Sequence, residues 1–476
     1  MSPTPRPSSP ADDRDVAAVR HDLTRIVGDA HVLGAGDGAI PVELLRDATE
    51  ARGTTGQALA VVRPGDADEV AAVVRWAARH GVPLVPRGGG TGFSGGAVPD
   101  AGSVVLATDR LTGPGEIVPE DWSATFPAGV VTADLQRRCL EAGLFFAPNP
   151  GSAESSLIGG NVATNAGGPR SFRYGPVRAW LTGVEAVLGD GERIRAGGTV
   201  RKNVETLDLL GLLCGSEGTL GVITSVSLKL QPAPELALPL LACYPDRDAG
   251  LAALASAMAC GVVPAALEFL DGATLRAAAA GFPGGLPDGA DFAVLAEALG
   301  PEAVAHAEGR VIVDALTPDA LAVHAPTDRR DVDALWRWRD GVSIAVTAAH
   351  GGKLSEDLAV PARRLGDVLA AVDGIAEELG VPVCSWGHAG DGNLHATVMV
   401  DRTDPVALRR AEAAAHRMLD LPGPLGGVLT AEHGIGTVKR DAAARLDPTV
   451  IATQNAIKDV LDPAGIMNPG KKLPGR

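Results

Sequence analysis

Aromatic side chains make up only 3% of the 476 residues, so the interior must be built mainly from Ala, Val and Leu. Five cysteines, Cys139, Cys214, Cys243, Cys260 and Cys384, lie far apart, are odd in number and never form CxxC. That pattern fits a reducing compartment without a disulfide framework, and it argues against an iron–sulfur cluster ligated by this chain, which needs clustered thiols. Basic residues are in deficit, with a net charge of −16. Nucleic-acid binding, which needs a basic face, is thereby disfavoured, and so is an anionic membrane surface. No apolar run approaches the roughly 20 residues of a membrane-spanning helix. The first residues, MSPTPRPSSPADDR, lack the apolar segment of a secretory signal, and Asp12 and Asp13 do not suit a transit peptide. The expectation is a Pro/Ser-rich disordered segment over residues 1–14 in a cytoplasmic protein.

Glycine, by contrast, is abundant and clustered. The stretch Pro86 to Gly96 reads PRGGGTGFSGG, and Gly90, Gly92 and Gly95 within it spell GxGxxG. Asp109 lies where the ribose-binding carboxylate of a dinucleotide fold is expected. That fold also requires the loop to open a helix whose N-terminus takes the pyrophosphate. Here the loop runs from a strand at 82–85 to another β-branched run at 103–107, with no helical pattern between. Strand, glycine loop, strand can still offer successive backbone N–H groups to phosphates.

At this length two or three domains are expected. Residues 15–27 and 39–51 read as short helices. A helix from Asp66 to Gly81 carries Val70, Val73, Val74 and Ala77 on one face, with Glu69 placed for a capping box. Another spans Thr132 to Glu141, with Thr132 as its cap. Asn149 to Ala153 and Ile158 to Gly168 form a second long Gly/Asn-rich loop, with Asn161, Thr164 and Asn165 offering side-chain hydrogen bonds to a large flat ligand. A hairpin turns at Asp190-Gly191, Leu212 to Gly221 gives a third glycine loop, and Pro232 and Pro234 mark a domain boundary. Beyond it, short strands alternate with Ala-rich helices, as in an antiparallel sheet with helices on one face.

This later half holds a second centre of polar chemistry. His388 and His395 flank the turn Asp391-Gly392-Asn393, on arms of a hairpin that would bring them together. Glu432 and His433 stand between glycines. Two His and one carboxylate are a common zinc set, and iron and manganese use such sets too. Glu432 is alternatively a helix cap, and His433 a base with a suitable working pKa. Arg339 and Ser343 share a helix face, and Lys353 follows on the next strand. They would suit a substrate carboxylate, or else form a solvated face with a routine ion pair.

These motifs resemble those of the FAD-dependent D-2-hydroxyacid dehydrogenases: the glycolate oxidase large subunit, D-lactate dehydrogenase and D-2-hydroxyglutarate dehydrogenase group, with the vanillyl-alcohol oxidase type of FAD fold. The likeness runs from about residue 53 to 473. It rests on RGGGTG from Arg87, IGGNVATNAGG from Ile158, GSEGTLGVI from Gly215, KLSEDLAVP from Lys353, HAGDGNLH from His388, EHGIG from Glu432 and DPAGIMNPGK from Asp462. It implies an α+β fold with a two-subdomain FAD-binding domain at 15–232. A ferredoxin-like α+β substrate and metal domain would follow at 233–460, then a tail at 461–476 that returns to the flavin.

Carried over by position, Pro86, Arg87, Gly88, Gly89, Gly90, Thr91, Gly92 and Ser94 would wrap the FAD pyrophosphate. Pro150, Gly151, Ser152, Gly159, Gly160, Asn161, Ala163, Thr164, Gly167 and Gly168 would line the flavin and its ribityl chain, with Glu217, Gly218, Ile223 and Asn468 completing the contact. His388, His395 and Glu432 resemble metal ligands for zinc, manganese or iron, with Asn393 beside them. His433 resembles the base, and Arg339, Ser343 and Lys353 resemble carboxylate-binding positions. Gly-Gly-Gly-Thr occupies the region where some members carry a flavin-linking His, so FAD would be non-covalent. The implied reaction takes a D-2-hydroxy acid to the 2-oxo acid and passes electrons to an electron-transfer protein, a quinone or an iron–sulfur subunit. A homodimer is compatible with this sequence. Two alternatives stay open: a subunit active only within a multi-subunit complex, and a flavin-free metal hydrolase.

Overall fold

A computed structural model describes residues 16–34, 40–49 and 53–475; the expected disordered segment 1–14 lies outside them. Among the described residues, the first half carries two larger sheets and a two-stranded pair, Leu144–Phe145 with Gln231–Pro232. In one of the larger sheets, strands Val32–Gly34, Ala60–Val62, Val104–Ala107 and Leu84–Arg87 lie side by side in that order. Leu84–Arg87 and Val104–Ala107 pair in parallel, and the glycine loop alone connects them, with no helix. Asp109 makes a bidentate ion pair with Arg63, at 2.6 and 3.1 Å. The second sheet is antiparallel and five-stranded, with Gly221–Lys229 at its centre between Ser123–Pro127 and Leu181–Leu188.

Local signals explain several of these elements. Asp66 accepts from the N–H groups of Asp68 and Glu69, and Gly81 closes the helix Ala67–His80 at φ +60°. Glu69 reaches one residue further back than a capping box would, to the N–H of Gly65 at 2.7 Å. Val70, Val73, Val74 and Ala77 are all buried, in line with the 3.6-residue period.

Four local expectations in the first half need correction. The helix expected at 39–51 is, among its described residues, a short 3-10 turn at Val42–Leu44. Backbone of this segment serves Arg87 instead: Glu43 O and Arg46 O accept its guanidinium at 2.6 and 2.7 Å. Thr132 does not cap its helix; its hydroxyl bonds Ser156 instead, and Val131 occupies the cap position. The second glycine loop is helical over Ile158–Thr164, ending at Asn165 with φ +53°. Part of the third is the short helix Leu209–Leu213, capped by Asp208.

The second half is one seven-stranded antiparallel sheet. Its order is Ala322–His324, Leu236–Tyr244, Phe292–Gly300, Ala266–Asp271, Val383–His388, Asn393–Met399, Lys353–Ala359. Helices cover both faces rather than one. Leu240, Ala242 and Tyr244 pack under the helices Arg247–Ala259, Glu302–Leu316, Leu365–Leu379 and Pro405–Met418. Leu241 and Cys243, one residue out of phase, pack under Gly272–Ala277 and the long helix Arg329–His350. The unbroken apolar run of Phe292–Gly300 needs cover on both sides. The C-terminal tail crosses back: Ile466 and Met467 join the core of the first half, and Met467 bridges Leu84.

Candidate active site

The two halves enclose a cleft of about 470 Å³. Of the candidate site residues singled out in the sequence, all line it except Asn165, Asn393 and Asn468. One end is glycine-lined. Gly88, Gly92, Gly151 and Gly160 adopt ordinary backbone angles, and a Cβ on any of them would approach no protein atom closer than 3.4 Å. The protein's own packing therefore does not require glycine there; a ligand passing close to the backbone does. That cradle fits FAD. The side chains that would seem to reach for it are engaged elsewhere. The Arg87 guanidinium is buried against the 3-10 turn, beneath Gly90. Asn161 donates to Thr132 Oγ1 at 2.6 Å, and Thr164 Oγ1 donates to Gly160 O. Asn165 Oδ1 accepts the N–H of Arg178. In this end of the cleft backbone, not polar side chains, presents itself.

The other end is ionic. The hairpin Val383–His388 and Asn393–Met399 brings the rings of His388 and His395 to 5.5 Å. His388 Nδ1 lies 2.6 Å from Glu268 Oε1, so Nε2 faces inward, 3.5 Å from Glu432 Oε2. Glu432 stands in an irregular loop and caps no helix. His388, His395 and Glu432 offer donor atoms within 4.8 Å of one another, and His395 Nδ1 is buried without a hydrogen-bond partner. This set fits a divalent cation, with Glu268 as the outer carboxylate that commonly orients a ligating histidine. Asp357, His395 and His433 also lie within 4.8 Å. Asp357, however, has its oxygens taken: Oδ2 accepts from Thr430 Oγ1 and from the N–H groups of Ala431, Glu432 and His433, and Oδ1 accepts from Asn393.

Asp357 thus shapes the loop that carries Glu432 and His433. Asn393, expected beside the metal ligands, donates its amide N–H groups to that carboxylate and to Leu358 O. Glu217 clamps the far end of the same loop, accepting Ile435 N–H at 2.9 Å and Gly436 N–H at 2.7 Å. Asn468, expected at the flavin, instead donates to Gly96 O and Glu217 O and braces two cleft loops from outside.

Charge follows burial and neighbours. Burial opposes ionisation of Glu268, yet Arg339 and His388 outweigh it and hold its carboxyl at about 2. Burial likewise opposes the charge on His388, but Glu268 and Glu432 raise it to about 10. His395 is pushed down to about 3 by burial and then by His433 and His388. Burial lowers His433 too, against the pull of Asp357, so its imidazole is neutral near pH 7. Arg339 is ion-paired with Glu268. Lys353 donates to Ser343 O at 3.0 Å and to Ser343 Oγ, and burial lowers it to about 8.

Sequence reasoning missed Glu268 and Asp357 as organisers. Glu268 had a visible signal, an acid with apolar neighbours on both sides in the middle of the strand Ala266–Asp271. Asp357 lay in a recognised motif but had no apparent partner, because four of its five donors come from more than 70 residues away and the fifth, Asn393, from 36.

A two-domain fold closing on a glycine-lined groove, with an ionic pocket at its end, defines a flavin-dependent oxidoreductase. The chain belongs to the FAD-linked oxidase family. It matches the models for the FAD binding domain at residues 58–197 and the C-terminal domain of FAD linked oxidases at 234–472. It is 36% identical to glycolate oxidase subunit GlcD of Bacillus subtilis, covering 87% of this chain and 88% of that one. It is 34% identical to a D-lactate dehydrogenase of Archaeoglobus fulgidus, covering 86% and 90%. It is 32% identical to a D-2-hydroxyglutarate dehydrogenase of Xanthomonas citri, covering 88% and 89%. Among solved structures, 4-ethylphenol oxidase from Gulosibacter chungangensis shares the fold at TM-score 0.79 and 21% identity, over 98% of each chain. No described helix is long and apolar enough to cross a membrane.

Proposed function

We propose that this enzyme oxidises a D-2-hydroxy acid to the 2-oxo acid. The observation that carries this is the convergence, at the end of a glycine-lined cleft, of a cation with no carboxylate partner among the described residues, Lys353, with a neutral histidine and a two-His, one-Glu cluster. FAD, when bound, supplies the two-electron acceptor that takes hydride from C2. Lys353 and the free edge of Arg339 would hold the substrate carboxylate, with Ser343 fixing the lysine. His433 would take the hydroxyl proton; its backbone is pinned by Asp357 and its ring packs against Phe93 at 4.7 Å. His388, His395 and Glu432 would hold zinc, or manganese or iron, whose charge would favour the ionised hydroxyl.

Residues 15–232 would form the FAD unit, 233–460 the substrate unit and 461–476 the returning tail. Electrons would leave to a separate acceptor, and five unbridged cysteines suit a reducing compartment. The Bacillus and Escherichia coli relatives are named as subunits, which favours a second reading in which turnover needs a partner chain. The hydrolase reading is set aside in favour of the family assignment.

The test is an anaerobic screen of D- and L-2-hydroxy acids, following flavin bleaching. Bleaching by the D series supports the proposal, and a flavin that no 2-hydroxy acid reduces sinks it. His388→Ala and His395→Ala should each abolish turnover while FAD stays bound.

A further inference from the structure

The charges around the substrate end of the cleft define which 2-hydroxy acids it takes. This deepens the reading just given and rests on it. A carboxylate drawn out of water needs a cation, or it pays a desolvation cost that nothing offsets. Among the described residues, three Lys or Arg side chains line the cleft, Arg87, Arg339 and Lys353, while the charge on His388 is matched by Glu268 and Glu432. Arg87 is turned away into backbone carbonyls, and Arg339 shares its charge with the buried Glu268. That leaves Lys353, aided by the open edge of Arg339, enough for one carboxylate.

The rim beyond offers the wrong environment for a second. Asp340 and Ile344 follow Arg339 and Ser343 along the long helix, one residue further round, and all four line the cleft. Asp340 is an exposed acid. Ile344 is 75% exposed and Phe93 47% exposed, although both border the cleft. Large aliphatic and aromatic groups left bare at a cleft mouth gain most when an apolar group covers them.

We infer that the substrate is a monocarboxylic 2-hydroxy acid with an uncharged, preferably apolar, side chain directed at Ile344 and Phe93, and that Asp340 turns dicarboxylic 2-hydroxy acids away. The experiment uses the flavin-loaded enzyme in anaerobic stopped flow, comparing D-lactate, D-2-hydroxybutyrate and D-2-hydroxyisocaproate with D-malate and D-2-hydroxyglutarate. Expected is flavin reduction by the monocarboxylates with a specificity constant about a hundredfold above that of the dicarboxylates. Ile344→Arg should shift the ratio toward D-2-hydroxyglutarate by about tenfold. Asp340→Asn, at an exposed position with little risk to folding, should shift it the same way by a smaller factor. Equal or faster reduction by D-2-hydroxyglutarate overturns the inference, as does a ratio that neither variant moves. If no 2-hydroxy acid reduces the flavin, the underlying reaction is wrong and the inference goes with it, a result distinct from reduction by the dicarboxylates alone.

Discussion

Glu268 is the residue on which the ionic end of the site depends. Fully buried, it takes His388 Nδ1 on one oxygen and Arg339 on the other, so it fixes both a candidate metal ligand and a candidate substrate anchor. Replacing it with Gln cannot satisfy both, since an amide nitrogen must face either the imidazole or the guanidinium. Glu268→Gln should lower metal affinity about 10- to 100-fold, read as metal per flavin in the purified protein, with FAD retained. Unchanged metal content would refute the positioning role. Lys353 supports a pH prediction. Burial disfavours its charge and brings it from 10.5 to about 8. Only the cation attracts a carboxylate, so kcat/KM should hold below pH about 8 and fall above it, while kcat falls less because bound substrate keeps the proton on. Lys353→Arg should carry the alkaline limb of the kcat/KM profile upward. An unmoved limb would assign that titration to another group. These roles were half legible in the sequence. Lys353, His388 and His433 announce themselves by type and by glycine neighbours. Glu268 stands out as an acid among apolar neighbours, but its role and that of Asp357 do not, because a buried carboxylate is explained by its partners, and those lie on other strands and loops.

Elements tell a similar story. The glycines of the Ile158 motif look like a loop by composition, since glycine is a poor helix former. They nonetheless form the helix Ile158–Thr164, held by tertiary packing: a Cβ on Gly159 would lie 2.6 Å from Ala128 Cβ. Gly160 is different. A Cβ there meets only Gly88 Cα, at 3.9 Å, and otherwise points into the cleft. Gly160→Ala should therefore act with opposite signs on two measurements. In the apo-protein, thermal stability should stay level or rise, by up to about 1 kcal/mol, because Ala is the better helix former. FAD affinity should fall, measured by flavin fluorescence on reconstitution. A drop in apo stability would mean that glycine serves the fold there, and undiminished FAD binding would remove Gly160 from the cradle. Strands are more legible than loops, because Lys353–Ala359 and Val383–His388 are short runs with turn residues at both ends.

At the scale of the whole molecule, the site lies where the two halves meet, and polar contacts between them hold it in register. Glu217 of the first half grips the Ile435–Gly436 backbone of the second. Gly436, at φ +47°, sits where a Cβ would be 2.0 Å from Ser94 O. Arg170 of the first half reaches into the second-half sheet and pairs with Glu297 at 2.9 and 3.2 Å, and Trp336 Nε1 donates to the same carboxylate. None of this was legible in the sequence, where Glu297 is one acid in the apolar strand Phe292–Gly300 and Arg170 is simply the second residue after a glycine run. Glu297 has no exposed side-chain surface, so removing its cation leaves a buried charge with one indole N–H as company. Arg170→Met should lower the stability of the joined structure by about 3 kcal/mol. The urea midpoint for release of FAD should fall accordingly. The double variant Arg170→Met with Glu297→Gln should recover most of the loss, because the neutral amide still accepts from Trp336 and carries no uncompensated charge. Recovery in the double variant would identify the stranded carboxylate as the cause. If the double variant is instead as weak as Arg170→Met alone, the arginine acts through packing against Phe145 and Trp336, whose rings lie 5.8 and 5.9 Å from its guanidinium.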